Sequence, residues 1–357
     1  MDTQKKLLVA LGVLLLLGGA LFAQNQKHAA DAEAHSLEGQ QGSLPKIEIA
    51  EDKLKDVDRV VLDKPPATGA GHRVTIELKK QAEDAWQLVT PVTAKANAAN
   101  VKSMIESLPK LKLTEQISGN KAEYDQWGVS DEKALHATFY KGDEKVADLY
   151  FGEDGSRGQM TRLADKDGVY TVSGFSKWLF ERDASGWRDK TMFKFDDKEV
   201  VKVSIDNKHG AFRFEKSGDA WTGKHGKTAA ALTPIKDFQS SKIDDLLRAY
   251  KSLSAMDFGD GKQPAEVGLD KPEGTVSIEL KGGSGLHVLK ISGTGEGSNR
   301  WASTNSSDVV YAVSSWSAGW ATAEPSKFQK GDDKAAAAPG GDAPPGMGLP
   351  DLHDDTE

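Results

Sequence analysis

Val101-Lys102-Ser103-Met104-Ile105-Glu106-Ser107-Leu108 and Ile243-Asp244-Asp245-Leu246-Leu247-Arg248-Ala249-Tyr250 decide how this chain is built. In each stretch the apolar residues stand at i, i+3, i+4 and i+7, the spacing that lays one stripe along an α-helix. Every member of the second stripe follows its counterpart in the first by 142 positions. Asn97 or Asn100 in one copy and Ser240 in the other are placed to cap these helices, because their side chains accept an orphan backbone N–H. An amphipathic helix repeated at a fixed distance signals a duplicated unit.

The flanking sequence repeats in the same order. Val57-Asp58-Arg59-Val60-Val61-Leu62-Asp63 returns as Val200-Val201-Lys202-Val203-Ser204-Ile205-Asp206, an alternation suited to a half-buried strand, at a displacement of 143. Asp84-Ala85-Trp86 returns as Asp219-Ala220-Trp221 after the predicted strands 73–80 and 211–216. Gly128 of a Trp-Gly-Val turn matches Gly268, and strands 135–141 and 146–151 match 276–281 and 286–291. Val169-Tyr170-Thr171-Val172 answers to Val309-Val310-Tyr311-Ala312-Val313, with Tyr170 and Tyr311 at a displacement of 141. Runs of short strands around one helix predict an α+β fold of two tandem repeat units, each a mostly antiparallel sheet packed by an amphipathic helix. The units are expected at 51–193 and 194–328.

The 357 residues accommodate two such units with terminal extensions. Lys and Arg total 46 against 54 Asp and Glu, net −8, so no positive excess exists to neutralise a nucleic-acid backbone. Cysteine is absent, which removes disulfides, thiolate metal sites and cysteine nucleophiles. Residues 1–23 read as a membrane anchor or signal segment: Leu7 to Ala23 carries no charge, and Lys5 and Lys6 precede it while only Lys27 closely follows. This bias keeps the N-terminus cytoplasmic and places the bulk of the chain outside the cytoplasm. Leu21, two residues before Ala23, spoils a small-x-small cleavage site, so an uncleaved anchor is favoured over a secreted chain. Residues 24–50 are polar and read as a flexible tether. Residues 329–357 read as a disordered acidic tail, with Asp332, Asp333, Asp342, Asp351, Asp354, Asp355 and Glu357 against Lys330 and Lys334.

The order of strand, Trp-ended hairpin, helix, Trp127-Gly128-Val129, paired strands, Val-Tyr-x-Val and Gly186-Trp187-Arg188-Asp189-Lys190 resembles the bacterial DUF4340 family over about residues 50 to 328. In the second copy the closing element is reduced to Gly319-Trp320. The resemblance implies an N-terminal membrane segment, one or two copies of such a unit, and an association with ABC-type export permeases and gliding-type transporter auxiliary proteins. It supplies no site residues.

Searches for chemistry along the chain end without a catalytic, cofactor-binding or metal-binding residue. Gly223-Lys224-His225-Gly226-Lys227-Thr228 resembles the end of a phosphate loop, but the glycine required five residues before Gly226 is Trp221. Gly293-Thr294-Gly295-Glu296-Gly297 reads as a hairpin loop rather than a dinucleotide turn. The eight histidines show no i, i+3 or i+4 pairing, and no Gly-x-Ser-x-Gly elbow occurs. Asp196, Asp197, Asp244 and Asp245 are the carboxylates that an acid/base pair would draw on, with solvated charge as the ordinary reading. Among the tryptophans, Trp86 and Trp221 read as core pegs, and Trp316 with Trp320 as the better surface candidates for stacking on sugar rings. Arg188 and Asp189 read as an ion-paired close to the first unit. The expectation is a non-enzymatic, membrane-anchored accessory or scaffold protein that needs no cofactor and assists an ABC-type export complex. The alternatives are a module binding glycan or lipid headgroups and, third, an envelope hydrolase.

Overall fold

The computed structural model describes residues 44–47, 49, 51–66 and 71–330. The apolar run at 7–23, most of the tether and the tail from 331 lie outside these residues. Among the described residues no helix is long and apolar enough to cross a membrane. The chain divides into two compact units, Met1–Asp189 and Lys190–Glu357.

The first unit runs α1 (Glu51–Leu54), β1 (Arg59–Lys64), β2 (Val74–Ala82), β3 (Ala85–Thr90), β4 (Ala94–Lys95), α2 (Ala98–Ser107), β5 (Lys112–Ser118), β6 (Leu135–Lys141), β7 (Glu144–Gly155), β8 (Gly158–Leu163), β9 (Val169–Ser173), α3 (Lys177–Phe180) and α4 (Ala184–Trp187). The second runs β10 (Val200–Asn207), β11 (Gly210–Ser217), β12 (Ala220–Gly226), β13 (Thr233–Pro234), α5 (Ser241–Tyr250), β14 (Asp257–Phe258), β15 (Gly274–Leu280), β16 (Leu286–Ile291), β17 (Arg300–Thr304), β18 (Ser307–Val313) and α6 (Ser315–Ala321). Each unit forms one nine-stranded sheet with antiparallel pairing. The orders are β4-β3-β2-β1-β6-β7-β8-β9-β5 and β13-β12-β11-β10-β15-β16-β17-β18-β14. Each strand of the second sheet is thus the ninth after its counterpart in the first.

Register carries the match to single residues. Leu62 pairs with Ile76 and Ala137, and Ile205 pairs with Phe212 and Val276. These side chains alternate onto one face because successive strand residues point to opposite sides. Val101, Met104, Ile105 and Leu108 belong to the first core, and Ile243, Leu246, Leu247 and Tyr250 to the second. Asn97 caps α2, its side-chain oxygen accepting from Asn100 N at 3.1 Å. Ser240 does not cap α5 in this way; its hydroxyl accepts from Trp221 N at 3.0 Å and ties the helix to β12. Gly128 and Gly268 both hold positive φ, +67° and +76°, which explains why the turn kept glycine in both copies.

Two expectations change in detail. The units are mostly β, with the helices confined to short segments, so "α+β" overstates the helical share. The division also falls at Asp189/Lys190 rather than after residue 193. Met192 and Phe193 are buried in the second core, and their N–H groups both donate to Leu253 O, at 2.8 and 3.1 Å.

Candidate functional site

The face of the first sheet opposite its core carries a group of aromatic and titratable side chains. In β6 His136, Thr138 and Tyr140 lie on the face away from Leu135, Ala137 and Phe139; His136 and Tyr140 are half-buried and Thr138 is buried. Antiparallel register sets Asp148 of β7 opposite Thr138 and Tyr150 opposite His136, with Arg162 of β8 opposite Tyr150. The His136 and Tyr150 rings stack at 4.0 Å and 6°. The Arg162 guanidinium lies 3.5 Å from the Tyr150 ring centroid. It also donates to Asp131 Oδ1 at 2.5 Å and to Val129 O at 3.0 Å. A second stack stands beside the first, with Arg59 3.7 Å from the Tyr140 ring centroid.

Asp148 is the electrostatic centre, its side chain only 14% exposed. His136 Nε2 meets Asp148 Oδ1 at 2.5 Å, and Lys145 Nζ meets Oδ2 at 2.5 Å. Burial pushes the Asp148 carboxyl up, but the hydrogen bonds from His136 and Lys145 together outweigh it and hold the group below the ordinary aspartate range. A group whose folded pKa lies below its unfolded value of about 3.9 contributes stability present above that value and lost as pH falls through the folded pKa. Melting of the first unit followed from about pH 5 down to pH 2 should therefore show a loss that Asp148→Asn makes shallower, with the variant less stable than the parent at pH 5. An identical profile in the variant would remove Asp148 from that role.

Thr138, His136 and Asp148 are the residue types of a nucleophilic triad, yet they are not arranged as one. Hydroxyl and carboxylate both approach Nε2, at 3.2 and 2.5 Å. A carboxylate only accepts, so Nε2 carries the proton and offers the hydroxyl no lone pair. The Thr138 hydroxyl donates instead to Asp148 Oδ1 at 3.3 Å.

Three of the four carboxylates singled out in the sequence, Asp196, Asp197 and Asp245, are engaged by neighbours. Asp196 accepts from Lys198 N at 2.9 Å, and Asp245 from Arg248 at 2.8 Å. Asp197 and Asp244 line one cleft, but a hydrogen bond from Lys251 holds the Asp197 carboxyl below the ordinary range, the reverse of what a general acid needs. Thr222 to Gly226 lie within β12, with no helix following, so no phosphate loop forms. Gly293 to Gly297 fall in the β16–β17 loop. Among the described residues no three His, Cys, Asp or Glu side chains gather as metal ligands. Trp86 and Trp221 are buried as read; Trp316 is 59% exposed but Trp320 is buried, so the two share no surface. Asp189 pairs with Lys95 at 2.7 Å, and Arg188 is buried.

The duplication supplies a comparison within the molecule. Register equates His136, Tyr140, Asp148, Tyr150 and Arg162 with Thr275, Glu279, Val288, Lys290 and Ser303, and Arg59 with Lys202. Where the first unit stacks Arg59 on Tyr140, the second has a Lys202–Glu279 ion pair at 3.3 Å. The fold therefore does not require the aromatic group. Sequence reading missed it because it emerges from the register of three strands; aromatic and basic residues at the non-core positions of 135–141 were the available signal.

Residues 86–272, just over half of the chain, match the family model described as a domain of unknown function, DUF4340. The chain belongs to the DUF4340 family. The DUF4340 match begins at Trp86 in β3 and ends at Pro272, just before β15, so it takes part of each unit and is narrower than the span over which the resemblance was read. It contains every member of the His136–Arg162 group and leaves out Arg59. No curated protein and no solved structure matches the chain.

Proposed function

We propose that this chain is a non-enzymatic accessory protein of the cell envelope, held by its N-terminal apolar run, whose first unit docks a protein partner through the outer face of its sheet. The partner is a permease or auxiliary subunit of an ABC-type export complex. One observation carries this reading: at equivalent positions of one fold, the outer face of the first sheet carries Tyr, Arg and His, with Arg162 12% exposed, where the second carries Lys, Glu, Ser and Thr. Tyrosine and arginine are enriched where proteins bind one another, while lysine, glutamate and serine are depleted there. Stacking also holds the Tyr150 ring and the Arg162 guanidinium in place before a partner arrives, which lowers the ordering cost of association. The second unit serves as a scaffold.

Grafting the second unit's residues onto the first tests the proposal. His136→Thr, Tyr150→Lys and Arg162→Ser place on β6, β7 and β8 the side chains that β15, β16 and β17 already carry, so the sheet should persist. Recovery of the permease or auxiliary subunit from detergent-solubilised membranes should fall at least tenfold, since one hot-spot residue commonly accounts for about 2 kcal/mol or more. Equal recovery by the folded triple variant would overturn the docking face; recovery of no export-complex subunit by the parent would overturn the partner.

A further inference from the structure

Each unit closes with one tryptophan in solvent and a second in the core. Ser176-Lys177-Trp178 follows β9 and Ser314-Ser315-Trp316 follows β18, with the serine at the helix N-cap in both. Trp178 is 69% exposed, the most of any large apolar side chain among the described residues, and Trp316 comes next. Their buried companions are Trp187 and Trp320. The residues beside the exposed ring differ between the copies, Lys177, Leu179 and Phe180 against Ser315, Ser317 and Ala318, yet the ring stands in both. An indole left in water adds little to a core, so its repetition points to something met outside the fold.

In the first unit a guanidinium completes the arrangement. Arg182 lies 5.1 Å from the Trp178 ring centroid and 5.8 Å from that of Trp187. Its Nε is buried with no acceptor. The acids on either side are engaged elsewhere: Glu181 meets Lys177 Nζ at 3.4 Å, and Asp183 Oδ1 accepts from Gly186 N at 2.6 Å. Lys64 Nζ donates to Arg182 O at 2.6 Å. Of these five charged groups the Arg182 guanidinium alone has no polar partner among the described residues. A guanidinium held by stacking and left without an acid is oriented for a carboxylate, because its planar fork matches two oxygens. The Phe180 ring, two residues after Trp178, packs against Phe139 and Phe151 at 6.5 and 5.3 Å. This places α3 over the core face of the sheet, away from the group around Tyr150, so the two surfaces are separate.

The isolation of the ring sets the class of ligand. Val74 is the only other exposed large apolar side chain of the first unit among the described residues, so Trp178 lacks the packed surroundings of a protein hot spot. A pyranose ring has an apolar C–H face to lie on the indole and a polar rim to meet Lys177 and Glu181. A uronate adds one carboxylate at the edge of that ring. We propose that Trp178 and Arg182 bind an acidic saccharide, a uronic-acid unit of a polysaccharide, with its ring on the indole and its carboxylate on the guanidinium. Trp316 is a platform without the charge: no cation lies over its ring among the described residues, and Lys327 covers Trp320 instead, at 4.1 Å.

The test follows the indole N–H signals of the full chain in detergent by nuclear magnetic resonance, those of Trp178 and Trp316 being assigned by their loss in Trp178→Phe and Trp316→Phe. The chain is titrated with a hexamer of β-1,4-linked mannuronate and with the neutral mannose hexamer of the same linkage. The Trp178 signal should move with a dissociation constant at least fivefold lower for the acidic hexamer, as one charge-assisted pair allows, and the Trp316 signal should show no such preference. Arg182→Gln should abolish the preference at Trp178, and Arg182→Lys, which keeps the charge without the fork, should retain part of it. The comparison of the two hexamers is made on the parent and so stands whether or not a variant folds. A Trp178 signal that neither hexamer moves, or equal constants for the two in the parent, would overturn the site. So would a signal that moves only when a protein subunit of the export complex is added, which would give the ring to that partner.

Discussion

Trp187→Ala is expected to destabilise the first unit by about 3–5 kcal/mol and to leave the second unchanged. Trp187 is fully buried, at the end of α4, in a core shared with Phe180 and Phe139. Asn97, the cap of α2, donates its N–H to Trp187 O at 2.8 Å, so the indole is the side chain that seats the closing turn against the helix. Truncation leaves a void that backbone held on two sides cannot fill. The indole Nε1 has no acceptor, so Trp187→Phe removes no hydrogen bond and should cost much less than alanine. Calorimetry should show two transitions in the parent, and in Trp187→Ala only one of them lowered, by roughly 10 °C. A common downward shift of both would mean that the cores unfold together.

Phe214→Ala is the counterpart in the second unit, again about 3–5 kcal/mol, acting on the other transition. Phe214 is fully buried, with ring centroids 6.3, 5.9 and 4.8 Å from Phe212, Phe238 and Phe328. Those separations are in the range where aromatic pairs add to burial. Its cross-strand partner is Gly223, where a Cβ would lie 2.6 Å from Phe238, so the cluster is built around a missing side chain. Phe328 is held by its own carbonyl, which accepts from Gln239 N at 2.9 Å. Loss of the Phe214 ring should therefore also speed amide exchange at residues 325–330. A loss of less than about 1 kcal/mol would show that the remaining phenylalanines close over the gap.

The elements that could be read from sequence are those whose signal is local. Strands 135–141 and 286–291 coincide with β6 and β16, because core residues recur at every second position, Leu135, Ala137 and Phe139 in one and Leu289 and Ile291 in the other. The helical stripes were legible for the same reason. β8 was not, since Gln159, Met160 and Thr161 are buried in succession and leave no alternation to find. The helices drew the class toward α+β because one strong stripe is easier to see than several weak strands. Met192 and Phe193 look like the end of one unit in sequence and pack as the start of the next; only their bonds to Leu253 decide between the two. The stacked group at Tyr150 escaped notice because its members come from β6, β7 and β8 and meet only in register.

The strand order has a consequence for synthesis. β5 is made before β6 through β9 but hydrogen-bonds to β9, the last of them, so Gln116 must wait for Tyr170. On the ribosome a seven-residue strand therefore emerges well ahead of its mate, a non-local pairing of the kind that slows folding. The second unit shortens the corresponding strand to Asp257–Phe258. Its nascent chain exposes far less unpaired backbone while it waits.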